Sequence, residues 1–377
     1  MEELLLRFDG ILKLRPEYVH RFYPDLGRMG QKRHQRTGAR AWIPERWIGS
    51  SVSAVNAPGI PTGGLSMLAD ARRPIALRDA IKAAPQRMLG PELLAAHGAE
   101  FRVLVKVLDP AQAIIFHLHA TDEQIRRMPS RFKGHRFGKD EAYYFLPGVP
   151  KGPMPYTHVG LHGGVTRTQL VEAVRKGAPH ALELSPCLYQ AYDTGFFVPA
   201  GVPHRPGTAL TLEIQQPSDV NTFLETEAGG RRMSPREVHA GFKSMEEALR
   251  LIEVEESCRA GRLTEYRLLP RVERSSAGGE IATIYPADVC RKFAGRRLRV
   301  TRSMTYGERS AFILWIWRGR GTLNGRRVAR GDEFFVAHDT ARRGIEVVNT
   351  GDEMLEAFTF FPLVCGPLSR RAGRGLG

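Results

Sequence analysis

Three short stretches of this chain carry side chains able to hold a metal ion. In FHLHATDE, His117 and His119 stand at i and i+2 of a strand-like run from Ala113 to His119. The two-residue period of a strand turns both imidazoles to one face. In GFFVPAGVPH, an apolar strand-like run ends in a Pro/Gly turn that presents His204. In GKDE, Lys139 and Glu141 lead into the strand-like segment AYYFL. Three imidazoles and one carboxylate suit zinc or a similar divalent ion, with coordination positions left for substrate oxygens. Each piece alone has an ordinary reading: a paired histidine on a strand, a common turn, a solvated charge run. Their joint occurrence on one β-rich background selects the metal-site reading. Glu123, four residues after His119, is a rival carboxylate. Thr121 with Gln124 forms a capping-box pattern, however, which places Glu123 in the first turn of a helix and away from the strand face. Glu141 is therefore the favoured acid.

The elements that must position these groups are mostly strands. Phe101 to Leu108 and Ala113 to His119 are rich in β-branched residues and are separated by the turn signal Asp109-Pro110. EAYYFL, ALELSPCLYQA, GFFVPAG and ALTLEIQQP read as further strands. ALRDAIKAA has a helical pattern. Capping-box patterns at Thr121/Gln124, Thr166/Gln169 and Ser244/Glu247 mark three helix starts, the last opening an amphipathic helix over MEEALRLIEVEE. From about Ser275 a second set of strands follows: RLRVTRSMTY, SAFILWIWRG, RRVARGDEFFVAH, GIEVVNTG and MLEAFTFFP. GDEFFV echoes the earlier GFFV, which suggests duplicated β units. The second set has no paired histidine, and His338 stands alone. Short strands at this spacing point to an antiparallel sandwich or barrel. The expected organisation is a unit over 1–255, a second over 256–365, and a disordered basic tail over 366–377.

Composition narrows the function. The 377 residues include no apolar run long enough to span a membrane. MEELLLRFDG has acidic residues where a secretory signal would be basic. Cys187, Cys258, Cys290 and Cys365 are scattered without a CxxC pair, so a reducing cytoplasm is expected and a cysteine-type zinc site is not. With 55 basic against 40 acidic residues the surface attracts anions. The basic residues sit in loops such as QKRHQRTGAR and in the second half, with no recognition helix or aromatic platform, so a small anionic molecule is preferred to nucleic acid. No GxGxxG follows a strand, and Walker A and GxSxG motifs are absent, which sets aside nucleotide cofactors and serine hydrolysis. His162-Gly163-Gly164 is too short a signal to count.

The ordered set of motifs resembles the cupin superfamily and, within it, type I phosphomannose isomerase. The resemblance runs through most of residues 40 to 255. PERWIGSSVSAVN and EFRVLVKVLD are similar to that family's early and central strands. FHLHATDE falls where the family has Q-x-H-P-x-D-E, and FGKDEAYYFL where it has GK-x-E. FFVPAGVPHRPG matches its P-x-G-x-x-H turn, LEIQQPSD its E-I-Q-Q-x-S-D strand, and PREVHAGFKSMEEAL its closing helix entry. The resemblance implies a mainly β fold of two cupin jelly-roll domains with a few helices attached, the second domain free of metal. It implies His117, His119, Glu141 and His204 as ligands of one divalent ion, zinc first, with manganese, iron, cobalt or nickel as alternatives. It also implies conversion of mannose 6-phosphate to fructose 6-phosphate through an enediol.

That chemistry needs an oxyanion stabiliser and a proton shuttle. The candidates are Lys139 beside the acid ligand, Glu213 on the strand after His204, Lys106 on a neighbouring strand and Arg205 next to His204. Two positions depart from the family: His117 replaces its usual glutamine, and Phe223 stands where it has a catalytic arginine. Arg205, Arg231 and Arg232 are the nearby sequence positions able to supply a cation instead. A different, unphosphorylated sugar and a sugar-binding protein without turnover are the alternatives that Phe223 leaves open; an oxygen-using iron protein is a third.

Overall fold

The computed structural model describes residues 1–30, 42–56, 60–132, 134–228, 231–234, 238 and 242–364. The basic loop at 31–40 and the tail at 366–377 lie outside the described residues. The chain is mainly β, and every pairing between strands is antiparallel.

The strands of the first half make two facing sheets. One runs in the order Arg267–Leu268, Gly195–Val198, Glu141–Phe145, Thr211–Gln215, Leu104–Leu108, Trp42–Ile48, Glu17–Arg21. The other runs Thr222–Phe223, His117–Leu118, His204–Arg205, Tyr156–Val159, Cys187–Tyr189. The second half repeats the plan with a seven-stranded sheet and a four-stranded sheet. Strands are exchanged across residue 255. Ile11–Leu14 pairs with Glu333–Val336 in the second half's sheet, and Arg267–Leu268 pairs with Gly195–Val198 in the first.

Alternation along the strands sorts side chains between two interiors. Ile48, Val105, Val107, Ala142, Tyr144, Leu212 and Ile214 share one core cluster with Trp315, Phe335, Phe358 and Phe360 of the second half. The two seven-stranded sheets therefore pack face to face. The intervening residues, Lys106, Glu141, Tyr143 and Glu213, point the other way, into the first barrel. Because both faces are covered, these strands are buried along their whole length: Leu104–Leu108, Glu141–Phe145 and Thr211–Gln215 have no exposed residue. On the opposite sheet Leu118 packs outward among Phe116, Leu170, Ala248 and Leu249 beneath the helices. His117 and His119 are left facing inward. Ion pairs also cross between the halves: Arg46 reaches Glu333 at 2.8 Å, and Lys292 reaches Asp122 at 2.7 Å and Asp140 at 2.9 Å.

The capping boxes at Thr121 and Thr166 are both complete and start the helices Asp122–Arg127 and Arg167–Lys176. The continuous helix expected after Ser244 is instead three short pieces: Met245–Ala248, a 3-10 turn at Leu249–Leu251, and Val254–Cys258. Tertiary bonds capture its backbone there. The side chain of Gln124 donates to Leu251 O and Glu253 N donates to Gly201 O, while Ile252 is extended. ALELSPCLYQA is not one strand: its start lies in the helix Ala178–Glu183, which has proline in its first turn, and only Cys187–Tyr189 is extended. The run Ala113 to His119 contributes only His117–Leu118 as regular strand.

Gly195 is a place where the barrel has no room. A Cβ built there would collide with the backbone oxygen of Tyr143 on the adjacent strand. Gly195→Ala should force the two strands apart and cost about 1–3 kcal/mol of stability, read as a lowered urea midpoint at unchanged slope.

Candidate metal centre

His204 and His117 are direct partners on adjacent antiparallel strands. Their ring centroids lie 4.2 Å apart, and each is 4.9 Å from that of His119. One nitrogen from each ring falls within 4.8 Å of the other two, and all three residues are buried. The outer nitrogens are anchored to backbone. His117 Nδ1 lies 2.6 Å from Ile115 O, His119 Nδ1 2.8 Å from Val220 O, and His204 Nδ1 3.0 Å from Val202 O. A ring nitrogen facing a carbonyl oxygen carries the proton, so in the neutral ring Nε2 presents a lone pair inward. Burial pushes His117 well below the ordinary imidazole value, aided by His204 and His119. It drives His119 down to about 3, with Lys139 adding to the fall. Both rings are therefore neutral near pH 7 and bind a metal without first losing a proton.

Glu141 completes the group from the facing sheet. Its carboxylate lies 3.1 Å from His119 Nε2 and 2.9 Å from His204 Nε2. Burial acts to raise its pKa, but Lys139, His119 and His204 around it hold it well below the usual carboxylate range. Tyr143 donates its hydroxyl to the same carboxylate. His204 Nε2 is buried without a hydrogen bond and faces the Glu141 carboxylate, two electron-rich groups with no proton between them. Buried groups in that condition are costly. A divalent ion among these four side chains would satisfy them, and imidazole nitrogens with one carboxylate form a donor set that zinc accepts. The residues present therefore fit a metal ion.

Lys139 and Glu213 lie against this group. Lys139 Nζ is 2.7 Å from Glu141, 3.0 Å from His119 Nε2 and 3.3 Å from Glu213. Burial pushes the Glu213 carboxyl up to about 7, with Lys139 opposing the rise and Glu141 adding to it. Lys106 stands opposite Glu213 in register and lies 3.5 Å from Asp219 and 3.8 Å from Glu45. Arg205, one residue past His204, takes the other face of its strand and pairs with Glu225 at 3.1 Å. Arg232 is exposed, and the side chain of Arg231 lies outside the described residues. Glu123 is exposed and pairs with Arg127 along its own helix. Phe223 is in register with His117, its ring 6.4 Å from that imidazole and 6.0 Å from Phe22.

Four further buried residues surround the site without having been singled out in the sequence: Tyr143, Arg21, Glu45 and Asp219. Tyr143 was within reach of the period-two rule, standing two residues from Glu141. Glu45 and Asp219 lie within PERWIGSSVSAVN and LEIQQPSD, two motifs of the resemblance, but nothing there points to a place at the site, and Arg21 carries no local signal. Arg21 bonds to Asp219 across 198 positions of sequence.

No protein-family model matches this chain, and no curated protein matches it. Solved structures do. The mannose 6-phosphate isomerase from Bacillus subtilis superposes with a TM-score of 0.69 over 93% of this chain and 99% of its own, at 16% identity. A single-residue variant of the phosphomannose isomerase from Salmonella typhimurium gives 0.65 over 93% and 99%, at 15% identity. The chain thus shares the fold of these mannose 6-phosphate and phosphomannose isomerases.

Removing one imidazole tests the centre. His204→Ala should weaken zinc binding by more than tenfold, measured by competition with a chromophoric chelator, because one of the proposed ligands is lost. Far-UV circular dichroism of the variant should stay that of the wild type, since the histidine follows a turn at a strand end.

Proposed function

We propose that this chain is a metal-dependent aldose–ketose isomerase that interconverts mannose 6-phosphate and fructose 6-phosphate. The observation that carries the reading is the meeting of His117, His119, His204 and Glu141 with Lys139 and Glu213 inside one barrel, within a fold shared with isomerases of that kind.

His117, His119, Glu141 and His204 are the residues proposed to hold the ion, zinc first. When bound it would act as a Lewis acid toward the sugar's carbonyl and hydroxyl oxygens. The rest falls to the chain. The reaction removes a proton from one of the two carbons C1 and C2 and returns it to the other, with an enediol between. Glu213 has a carboxyl poised near neutrality, able to take a proton and give it back. Lys139 is held at 3.3 Å from Glu213 and supplies a positive charge where oxygen becomes negative. Lys106, tied to Asp219 and Glu45, is a second cation on the barrel wall. Arg205 is oriented away from the imidazoles by strand alternation, so its proposed part is confined to the rim it shares with Glu225.

No helix among the described residues is long and apolar enough to cross a membrane. A cytoplasmic setting and a small sugar phosphate as the partner, rather than nucleic acid, complete the proposal. One observation favours a second reading, an unphosphorylated sugar: Phe223 and Phe22 place an apolar edge beside His117.

The metal-loaded protein should exchange the C2 hydrogen of mannose 6-phosphate in deuterated water and form fructose 6-phosphate, followed by NMR. Turnover confined to free sugars would replace the first reading by the second, and binding without exchange would remove both. Glu213→Gln should lower kcat by about 10²–10⁴ while zinc content stays at the wild-type level.

A further inference from the structure

Arg21 sits on the Glu17–Arg21 strand at the edge of the first barrel, 6% exposed. Its guanidinium is fully engaged. Nε donates to Glu45 Oε1 at 2.9 Å and Nη1 to Asn56 Oδ1 at 2.8 Å and Val55 O at 3.2 Å. Nη2 donates to Glu45 Oε2 at 3.1 Å and to both oxygens of Asp219, at 2.9 and 3.0 Å. With its hydrogens so committed, this arginine offers nothing to a substrate. What it grips is the informative part.

Asp219 lies in the turn between the Thr211–Gln215 strand, which carries Glu213, and the Thr222–Phe223 strand. The next residue, Val220, presents the carbonyl that takes His119 Nδ1 at 2.8 Å. Two residues further on, Thr222–Phe223 pairs in register with Leu118 and His117. The turn that Arg21 pins therefore sets the ring of one imidazole and leads into the strand that pairs with another, His117. Val55 N also donates to Asp219 at 2.8 Å, so the carboxylate is held from two directions. Lys106 Nζ lies between the same two acids, 3.5 Å from Asp219 and 3.8 Å from Glu45. Two acids and two cations make this buried cluster neutral, and loss of either arm of the arginine leaves a buried carboxylate short of a partner.

We infer that Arg21 is a positioning residue of the metal centre: through Asp219 it fixes the Val220 carbonyl, and through that carbonyl the orientation and basicity of His119. A planar fork suits this place, because one cation bonds Glu45, Asp219, Asn56 and the Val55 carbonyl at once; a lysine there keeps the charge and has too few donors for that set. Partners one step removed from a metal set its affinity by factors of about 10–100. The inference rests on the metal-centre reading proposed above.

The test is zinc affinity, by chelator competition, and the visible absorption of the cobalt-substituted protein, for wild type, Arg21→Lys, Asp219→Asn and the double variant. Arg21→Lys should bind zinc about tenfold or more weakly and shift the cobalt bands. Asp219→Asn should do the same, and the double variant should be no worse than the weaker single, since both act by one route. Arg28→Lys serves as the control. Arg28 is partly buried, paired with Asp109 and bonded to Thr208 O, beside the other end of the Leu104–Leu108 and Thr211–Gln215 strands. It should lower thermal stability and leave zinc affinity and the cobalt spectrum unchanged. Wild-type zinc affinity in a folded Arg21→Lys overturns the inference. So does an equal loss in Arg28→Lys at equal melting temperature, which would mark a general loosening of the barrel. A wild-type protein that binds no zinc takes down the metal-centre reading, and this inference with it.

Discussion

The structure depends on the burial of charge inside the first barrel. Glu141 and Glu213 are essentially inaccessible, as are the three imidazoles beside them. An isolated carboxylate in that position would be prohibitively costly. It is tolerated because Lys139 lies 2.7 Å from one acid and 3.3 Å from the other. The same closeness divides their behaviour. Glu141, pressed against the ammonium and two imidazoles, stays ionised and suits a ligand. Glu213, one step farther out and next to a charge of its own sign, is pushed toward neutrality and suits a proton carrier. Two acids of one type acquire two ionisation behaviours from position alone.

A second constraint is geometric. A strand that must serve two cores has no spare residues. Along Glu141–Phe145, odd positions line the first barrel and even positions pack against the second half's sheet. Along Thr211–Gln215, Glu213 faces inward while Leu212 and Ile214 face the neighbouring unit. The chemistry is thus carried on the backs of residues that hold the two halves together, and an error in register of one residue would exchange apolar contacts for charges on both sides. This accounts for strands that read as nearly continuous apolar runs broken by single charged residues, a pattern unusual for antiparallel sheets with a wet face.

That pattern is also why much of the site was legible from sequence. His117, His119, His204 and Glu141 each stand beside local punctuation, a two-residue spacing or a Pro/Gly turn, and the structure gathers them. Lys139 and Glu213 follow because each is tied by sequence to a residue already chosen. Arg205 shows the limit: adjacency in sequence to His204 placed it among the candidates, and adjacency along a strand is what sends it to the other face. Glu45 and Asp219 stand in motifs of the resemblance, but the cluster they form with Arg21 was illegible for a different reason. Its members come from three separate strands and turns, and nothing near any of them in sequence implies the others. Secondary structure failed where tertiary bonds overrode propensity. The helix after Ser244 has the periodicity for a single element, yet its backbone is drawn off by Gly201 and Gln124.

The second half, without a paired histidine, still reaches the centre. Lys292 bonds to Asp122, Asp140 and Gln216 together. Asp140 is the residue between Lys139 and Glu141, and its own carboxylate accepts from Ala200 N in the turn before His204. Gln216 follows the strand of Glu213 and accepts from Asp140 N. Asp122 opens the helix after His119 and accepts from Gly138 N. One ammonium from the second unit thus ties together the three segments that carry Glu141, Glu213 and the His117–His119 pair. Arg21 braces the same centre from the N-terminal side through Asp219. The groups that would contact a metal are set between two charged clamps, each supplied by a part of the chain that contributes no ligand. A barrel interior this crowded with like and unlike charges holds one arrangement only if its rim is fixed from outside. The second unit and the N-terminal strand supply those ties through Lys292 and Arg21.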